Sequence, residues 1–299
     1  MEAENMLKKL AAAFFAAAMF ANPVLAAESA AGQNARPAAG AMKYLLDNTP
    51  LTPTKVFDNV YCIGSVSVVA WVLQTEQGLI LIDSMWDDHD AQLIESGMRK
   101  LGLNPTELKY IIVTHGHGDH YGGAHYLREK YGAQVVMTKV DADLMYNLNT
   151  GANSARSPKT KVDIFVKDHD KITLGNTQVT IAETPGHTPG GLSVIFPVLE
   201  HGRSYTAVLW GGTGLPADRE LLQKYHNSAE YFGRLAEEAG AEIELTAHLF
   251  AENGYARLAQ AGQLQPGEQN PFIIGKEGIR KYFEGLSTNA EARLQQDSK

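Results

Sequence analysis

Thr114-His115-Gly116-His117-Gly118-Asp119-His120 is the stretch on which the reading of this 299-residue chain turns. It holds three of the chain's ten histidines. It follows an apolar run, Tyr110-Ile111-Ile112-Val113, with the composition of a buried strand. Gly116 and Gly118 let the backbone turn tightly, so imidazoles and a carboxylate converge from a loop at the strand's end. Neutral imidazole and carboxylate are ligand types that zinc accepts. The plainer alternative, a polar surface loop with coincidental histidines, fits poorly with so dense and ordered a cluster.

Working outward, segments 55–63, 68–75 and 79–83 read as short strands with turns at Gly64-Ser65 and Gln77-Gly78, and 90–101 as a helix ending at Gly102. After the histidine loop come a helix over 121–131, a strand over 133–137 and a helix over 139–146. Segments 162–166, 171–174 and 177–182 are strand-like, with Gly175-Asn176 as a tight hairpin turn. A second glycine-rich loop follows, Thr184-Pro185-Gly186-His187-Thr188-Pro189-Gly190-Gly191. A hairpin over 192–196 and 204–210 runs into Gly211-Gly212-Thr213-Gly214. Then come a long helix over 218–239, a strand over 242–246 with His248 just past it, and helical patterns at 253–261 and 276–295. His115, His117, Asp119, His120, His187 and His248 all sit just past strand ends, and stacked sheets bring such positions into one groove.

Hydrophobic content of 44% suits a globular enzyme with a sizeable core. The net charge of -8, without a Lys/Arg cluster, argues against nucleic acid as a partner and leaves a small-molecule substrate. The single cysteine, Cys62, allows no intramolecular disulfide and reads as a small buried hydrophobe. Lys8 and Lys9, the apolar run over 10–21 and Asn22-Pro23-Val24-Leu25-Ala26 form a signal-peptide pattern over residues 1–26, with Met1 or Met6 as start. The run is too short to span a membrane. It predicts export, cleavage near Ala26, and a periplasmic or secreted mature chain without stable membrane insertion. Residues 27–50 read as a flexible leader and 51–299 as one domain with a C-terminal helix. The oligomeric state is not legible.

The His-x-His-x-Asp-His loop, the Thr-Pro-Gly-His-Thr loop and the late histidine together resemble the metallo-β-lactamase superfamily over roughly residues 50–262. The resemblance implies an α/β fold, a four-layer αββα sandwich. It implies two zinc ions per chain, one held by His115, His117 and His187, the other by Asp119, His120 and His248. It implies hydrolysis by a metal-bound hydroxide attacking a carbonyl, with Asp119 catalytic as the group that orients the water. Most two-metal hydrolases of the superfamily carry a bridging aspartate at the position of Gly212, and Gly212 cannot bridge. Cys62 lies far from any motif position, so the subclasses with a cysteine ligand do not fit. The Asp119/His120/His248 set, together with the stretch from Lys167 to Thr188, looks like the third subclass of class B metallo-β-lactamases. That implies a β-lactam amide as substrate.

Tyr121 and Thr213 are the candidate substrate contacts, although a buried aromatic accounts equally well for Tyr121. Lys224, Tyr225 and Ser228 lie on a helix within reach of the site. The loop over 147–161 is either a cover for the groove or a plain surface connection. His89, His125, His169, His201 and His226 are expected to bind no metal. Two rivals stand beside the lactamase reading: a related metallohydrolase acting on lactones, esters or other amides, and a non-catalytic periplasmic zinc-binding protein.

Overall fold

In the computed structural model, which describes residues 43–147, 156–265 and 267–296, strand periodicity sorts side chains into separate cores. Along Val69–Thr75, Val69, Trp71 and Leu73 enter one core while Ala70 and Val72 enter another. Gly78–Ile82 does the same, with Ile80 and Ile82 on one side and Leu79 and Leu81 on the other. A strand whose two faces are both apolar must be covered on both sides.

The first sheet has seven strands in sequence order: β1 (Thr54–Lys55), β2 (Val60–Gly64), β3 (Val69–Thr75), β4 (Gly78–Ile82), β5 (Leu108–Ile112), β6 (Gln134–Thr138) and β7 (Ile164–Val166). β1 to β4 pair antiparallel, and β4 to β7 pair parallel through helical crossovers. The second sheet has five, in the order β12 (Ile243–Leu245), β11 (Arg203–Leu209), β10 (Leu192–Glu200), β9 (Thr177–Glu183) and β8 (Lys171–Leu174). Trp71, Ile80, Ile82, Val194, Phe196 and Leu209 pack between the sheets. The outer face of the first sheet is covered by α1 (Asp88–Lys100), α2 (Gly118–Tyr121), α3 (Ala124–Tyr131) and α4 (Lys139–Asn147), through Ile94, Tyr121, Leu127 and Met145. The outer face of the second is covered by α5 (Arg219–Glu238) and α6 (Gly275–Gln296), through Phe232, Tyr282 and Phe283 packed on Val208 and Trp210. These are the four αββα layers. No helix among the described residues is long and apolar enough to cross a membrane.

Three details differ from the sequence reading. The strand expected over 55–63 is two strands, β1 and β2, separated by a turn in which Val60 N–H donates to Phe57 O at 3.4 Å. The helix expected over 121–131 is split into α2 and α3 at Gly122-Gly123. A Cβ at Gly122 would lie 1.8 Å from Trp86 O, and one at Gly123 would lie 2.3 Å from Ser84 O, so the backbones of the two segments touch there. Residues 43–50, expected to be loose, are tied down: Val66 N–H donates to Thr49 O at 2.9 Å, and Pro50 forms an antiparallel bridge with Ser65. The expected signal peptide, the leader as far as residue 42 and the middle of the 147–161 loop lie outside the described residues.

Candidate metal centre

The site lies at one end of the inter-sheet core. β5 delivers the first histidine loop, and the ends of β9, β11 and β12 deliver His187, the Gly211–Gly214 turn and His248. Leu192 N–H donates to Thr114 O at 2.8 Å, joining the two sheets beside the first ligand.

Six side chains converge in two sets of three. The ligand atoms of His115, His117 and His187 all lie within 4.8 Å of one another, as do those of Asp119, His120 and His248. His187 Nε2 stands 3.0 Å from His117 Nδ1, and His120 Nε2 stands 3.3 Å from His248 Nε2. Asp119 Oδ2 is 3.6 Å from Nε2 of both His120 and His248.

Three of the rings are oriented by an acceptor on their far side. His187 Nδ1 donates to Gly214 O at 2.6 Å, and His248 Nδ1 donates to Ser67 O at 3.0 Å. His120 Nδ1 lies 2.7 Å from Asp83 Oδ2. With the proton fixed on Nδ1, the Nε2 lone pairs of these three histidines face inward, as metal ligation requires. Nε2 of His115 is buried with no hydrogen-bond partner among the described residues. A buried nitrogen lone pair without a donor is costly, and a cation satisfies it.

Electrostatics agree. Burial and the neighbouring imidazoles push His115 and His117 well below the ordinary histidine value, and burial brings His187 down to about 4. His248 is lowered by burial too. All four are therefore neutral at pH 7, the form that ligates metal. For His120 burial acts in the same direction, but Asp83 and Asp119 outweigh it and raise its value. Burial raises Asp119, and the surrounding histidines more than reverse this, so it stays a carboxylate.

Other residues hold the frame without facing the centre. Thr114 donates its backbone N–H and its hydroxyl to Asp83 Oδ1, at 2.8 and 2.9 Å. Asp141, wholly buried on α4, accepts from Gly116 N–H at 2.8 Å and the Thr188 hydroxyl at 2.6 Å on one oxygen. Its other oxygen accepts from Gly190 N–H at 2.7 Å. One carboxylate thus pins both ligand loops. Neither Asp141 nor Ser67 stood out in the sequence, and Asp83 was read only as a strand end. The one signal for Asp83 is a charge that closes an otherwise apolar strand.

Tyr121 is corrected: it has 0% exposure and sits in the core beneath the first sheet, so it touches no substrate. Thr213 is half-buried beside Gly212 and Gly214, and its carbonyl accepts from the Tyr225 hydroxyl at 3.2 Å. Lys224 points away into an ion pair with Glu220 at 2.8 Å. Tyr225 and Ser228 reach the loops rather than the groove, with the Ser228 hydroxyl donating to Pro185 O at 2.7 Å. Gly212 has its own steric reason, since a Cβ there would lie 2.4 Å from the Cβ of His187. A bridging side chain therefore has no room at 212 while His187 stands where it does. His125 is exposed on α3, outside both triads.

A family profile described as the metallo-beta-lactamase superfamily matches residues 63–199, which include both glycine-rich loops. Residues 63–199 thus match this superfamily, and the chain is similar to its subclass B3. BJP-1, described as a subclass B3 metallo-beta-lactamase of Bradyrhizobium japonicum, superposes with a TM-score of 0.72 at 28% identity, over 86% of this chain and 98% of that one. Native FEZ-1 metallo-beta-lactamase from Legionella gormanii gives a TM-score of 0.70 at 23% identity, over 84% and 98% of the two chains. Among curated proteins, a hydroxyacylglutathione hydrolase of Brucella ovis is 32% identical over 111 residues, 37% of this chain. The match spans about 37% of the length of that relative.

Proposed function

We propose that this protein is an exported zinc hydrolase that opens the β-lactam ring. The observation that carries the reading is the second triad, Asp119/His120/His248, beside a Gly212 that sterics keep free of a bridging side chain. The likeness to BJP-1 supports it. His115, His117 and His187 would hold one zinc ion, and Asp119, His120 and His248 the other. Bound zinc lowers the pKa of water toward ~7 and polarises a carbonyl. Asp119, ionised and fixed among its histidines, offers a carboxylate oxygen to orient the attacking water and take up its proton. Thr213, at the rim, is the polar side chain closest in sequence to Gly212 and the candidate contact for a substrate carboxylate.

A second reading has an observation of its own. The hydroxyacylglutathione hydrolase relatives favour a thioester or ester substrate at the same centre. The test is a hydrolysis screen of zinc-loaded protein with a chromogenic cephalosporin, a penicillin, a carbapenem, an acyl lactone and a glutathione thioester. Cephalosporin turnover, abolished by a chelator and restored by zinc, is expected. Thioester or lactone turnover without β-lactam turnover rejects the lactamase and keeps the metallohydrolase. Zinc binding with no turnover of any substrate favours the non-catalytic reading.

A further inference from the structure

Residues 43–51 are not needed to complete either sheet, yet they make close contacts with the loop that orients His248. Ser67 is at the centre of these contacts and has 0% exposure. Its carbonyl takes the Nδ1 proton of His248 at 3.0 Å. Its hydroxyl donates to Leu45 O at 2.8 Å and accepts from Trp86 Nε1 at 2.9 Å. The peptide that orients His248 is thus itself fixed from two sides, and one of those sides is the segment over 43–51.

The same segment reaches the His248 loop by a second route. Tyr44 stacks on Phe250 with ring centroids 5.5 Å apart and planes 12° from parallel. Phe250 in turn lies against His248, centroid to centroid 5.3 Å. Tyr255 donates its hydroxyl to Val66 O, and its ring lies 6.2 Å from Tyr44. The contacts converge on His248 and leave the first triad untouched, since His187 is oriented from Gly214 O.

We propose that residues 43–51 are a strap that, through Ser67 and Tyr44, positions His248 and so sets the affinity of the Asp119/His120/His248 half of the centre for its ion. This rests on the reading that the triad holds a metal. Ser67 and Tyr44 are positioning residues and touch no ligand atom that faces the ion. Outer partners of metal-bound imidazoles typically contribute 10–100-fold in metal affinity. A partner that is itself a backbone carbonyl depends on whatever fixes its peptide, which here is the Ser67 hydroxyl and the strap.

The test is a zinc titration of metal-free full-length protein in competition with a chromophoric chelator. The chains compared are the parent, Ser67→Ala, Tyr44→Ala and Tyr44→Phe. The parent is expected to show two binding steps. Ser67→Ala and Tyr44→Ala should weaken one step by about tenfold or more and leave the other within about twofold. Tyr44→Phe, which keeps the stacking ring, should behave as the parent. Melting of the metal-free chains identifies any variant that fails to fold, and Tyr44→Ala, altered at a partly exposed ring, serves if Ser67→Ala does. Two unchanged steps in both alanine variants overturn the proposal, as does an equal loss from both steps. A parent chain that takes up fewer than two ions sinks the reading of the triad, and the strap proposal with it.

Discussion

Asp83 Oδ2 stands 2.7 Å from His120 Nδ1, and neither side chain is more than 2% exposed. The same carboxylate accepts the Thr114 backbone N–H and hydroxyl. Asp83 reaches this position from a left-handed backbone, φ 61°, which non-glycine residues adopt sparingly. Local strain of this kind persists where surrounding contacts over-determine it.

Asp83→Asn is therefore expected to damage the second triad rather than the fold. An amide offers one acceptor oxygen in place of two and lacks the charge that holds the His120 proton. Affinity for the second zinc ion should fall about 10–100-fold, the range for outer partners of ligating histidines. Metal content after dialysis against a weak chelator checks this. Full retention of both ions would show that Thr114 alone fixes the loop.

Asp141 makes a different prediction, because it ties down the loops of the first triad. Burial lifts its carboxyl to about 6, against three hydrogen bonds that pull the other way. Asp141→Asn turns an amide NH2 toward backbone or hydroxyl donors on one side, leaving at least one of them unsatisfied. Loss of a buried partner costs about 1–3 kcal/mol. The first zinc step should weaken more than the second, the reverse of the Asp83 variant. Paired titrations of the two variants are the measurement, and an identical pattern in both would deny them separate roles.

The two candidate triads were legible because each member sits in, or directly after, a short local pattern: strand, glycine turn, histidine. The layers were legible because both faces of β3 and β4 are apolar. What escaped notice depends on distance along the chain. Asp83 meets His120 from 37 residues away, Asp141 meets Gly190 from 49, and Ser67 meets His248 from 181. No periodicity encodes those pairs. Tyr121 follows a ligand directly, and that adjacency suggested a groove residue. The short helix α2 rotates its ring to the opposite side, into the core.

Stability should carry a pH signature from a buried acid pair flanking the His248 segment. Glu244 pairs with Arg257 at 2.8 Å, and Glu252 accepts the Tyr282 hydroxyl at 2.8 Å. Glu244 Oε1 and Glu252 Oε2 are both buried without a partner among the described residues, and a proton on Glu252 would supply a donor. Burial and the adjacent Glu244 raise Glu252 well above the ordinary glutamate value. Above the unfolded value of 4.5 the unfolded chain has released this proton while the native chain still holds it, so stability falls as pH rises toward the folded value. Glu252→Gln mimics the protonated form and should remove that fall. The variant's melting temperature should overtake the parent's as pH rises above 4.5, at roughly 2–4 °C per kcal/mol regained. Parallel pH profiles for the two proteins would mean that the pair shares no proton.

His187 and His125 give the sharpest contrast within one residue type. His187 closes the first triad, 3.0 Å from His117, with its Nδ1 proton fixed on Gly214 O. A Cβ at Gly212 would lie 2.4 Å from the Cβ of His187, so glycine is what leaves room beside this ligand. His125 is exposed on α3 and belongs to neither triad. Alanine at 187 removes one of three ligands and should cost first-ion affinity more than the 10–100-fold typical of outer partners. Turnover of whichever substrate the screen identifies should fall by orders of magnitude. It also removes the Nδ1 hydrogen bond to Gly214 O, so the Gly211–Gly214 turn loosens and the loss is not recovered by excess zinc alone. Alanine at 125 should leave zinc stoichiometry and turnover within about twofold of the parent, as surface changes away from such features usually do. Zinc content and rate measured side by side on the two variants decide the matter. Equal rates would mean that His187 is not a ligand and that the Thr184–Gly191 loop serves only to join the sheets.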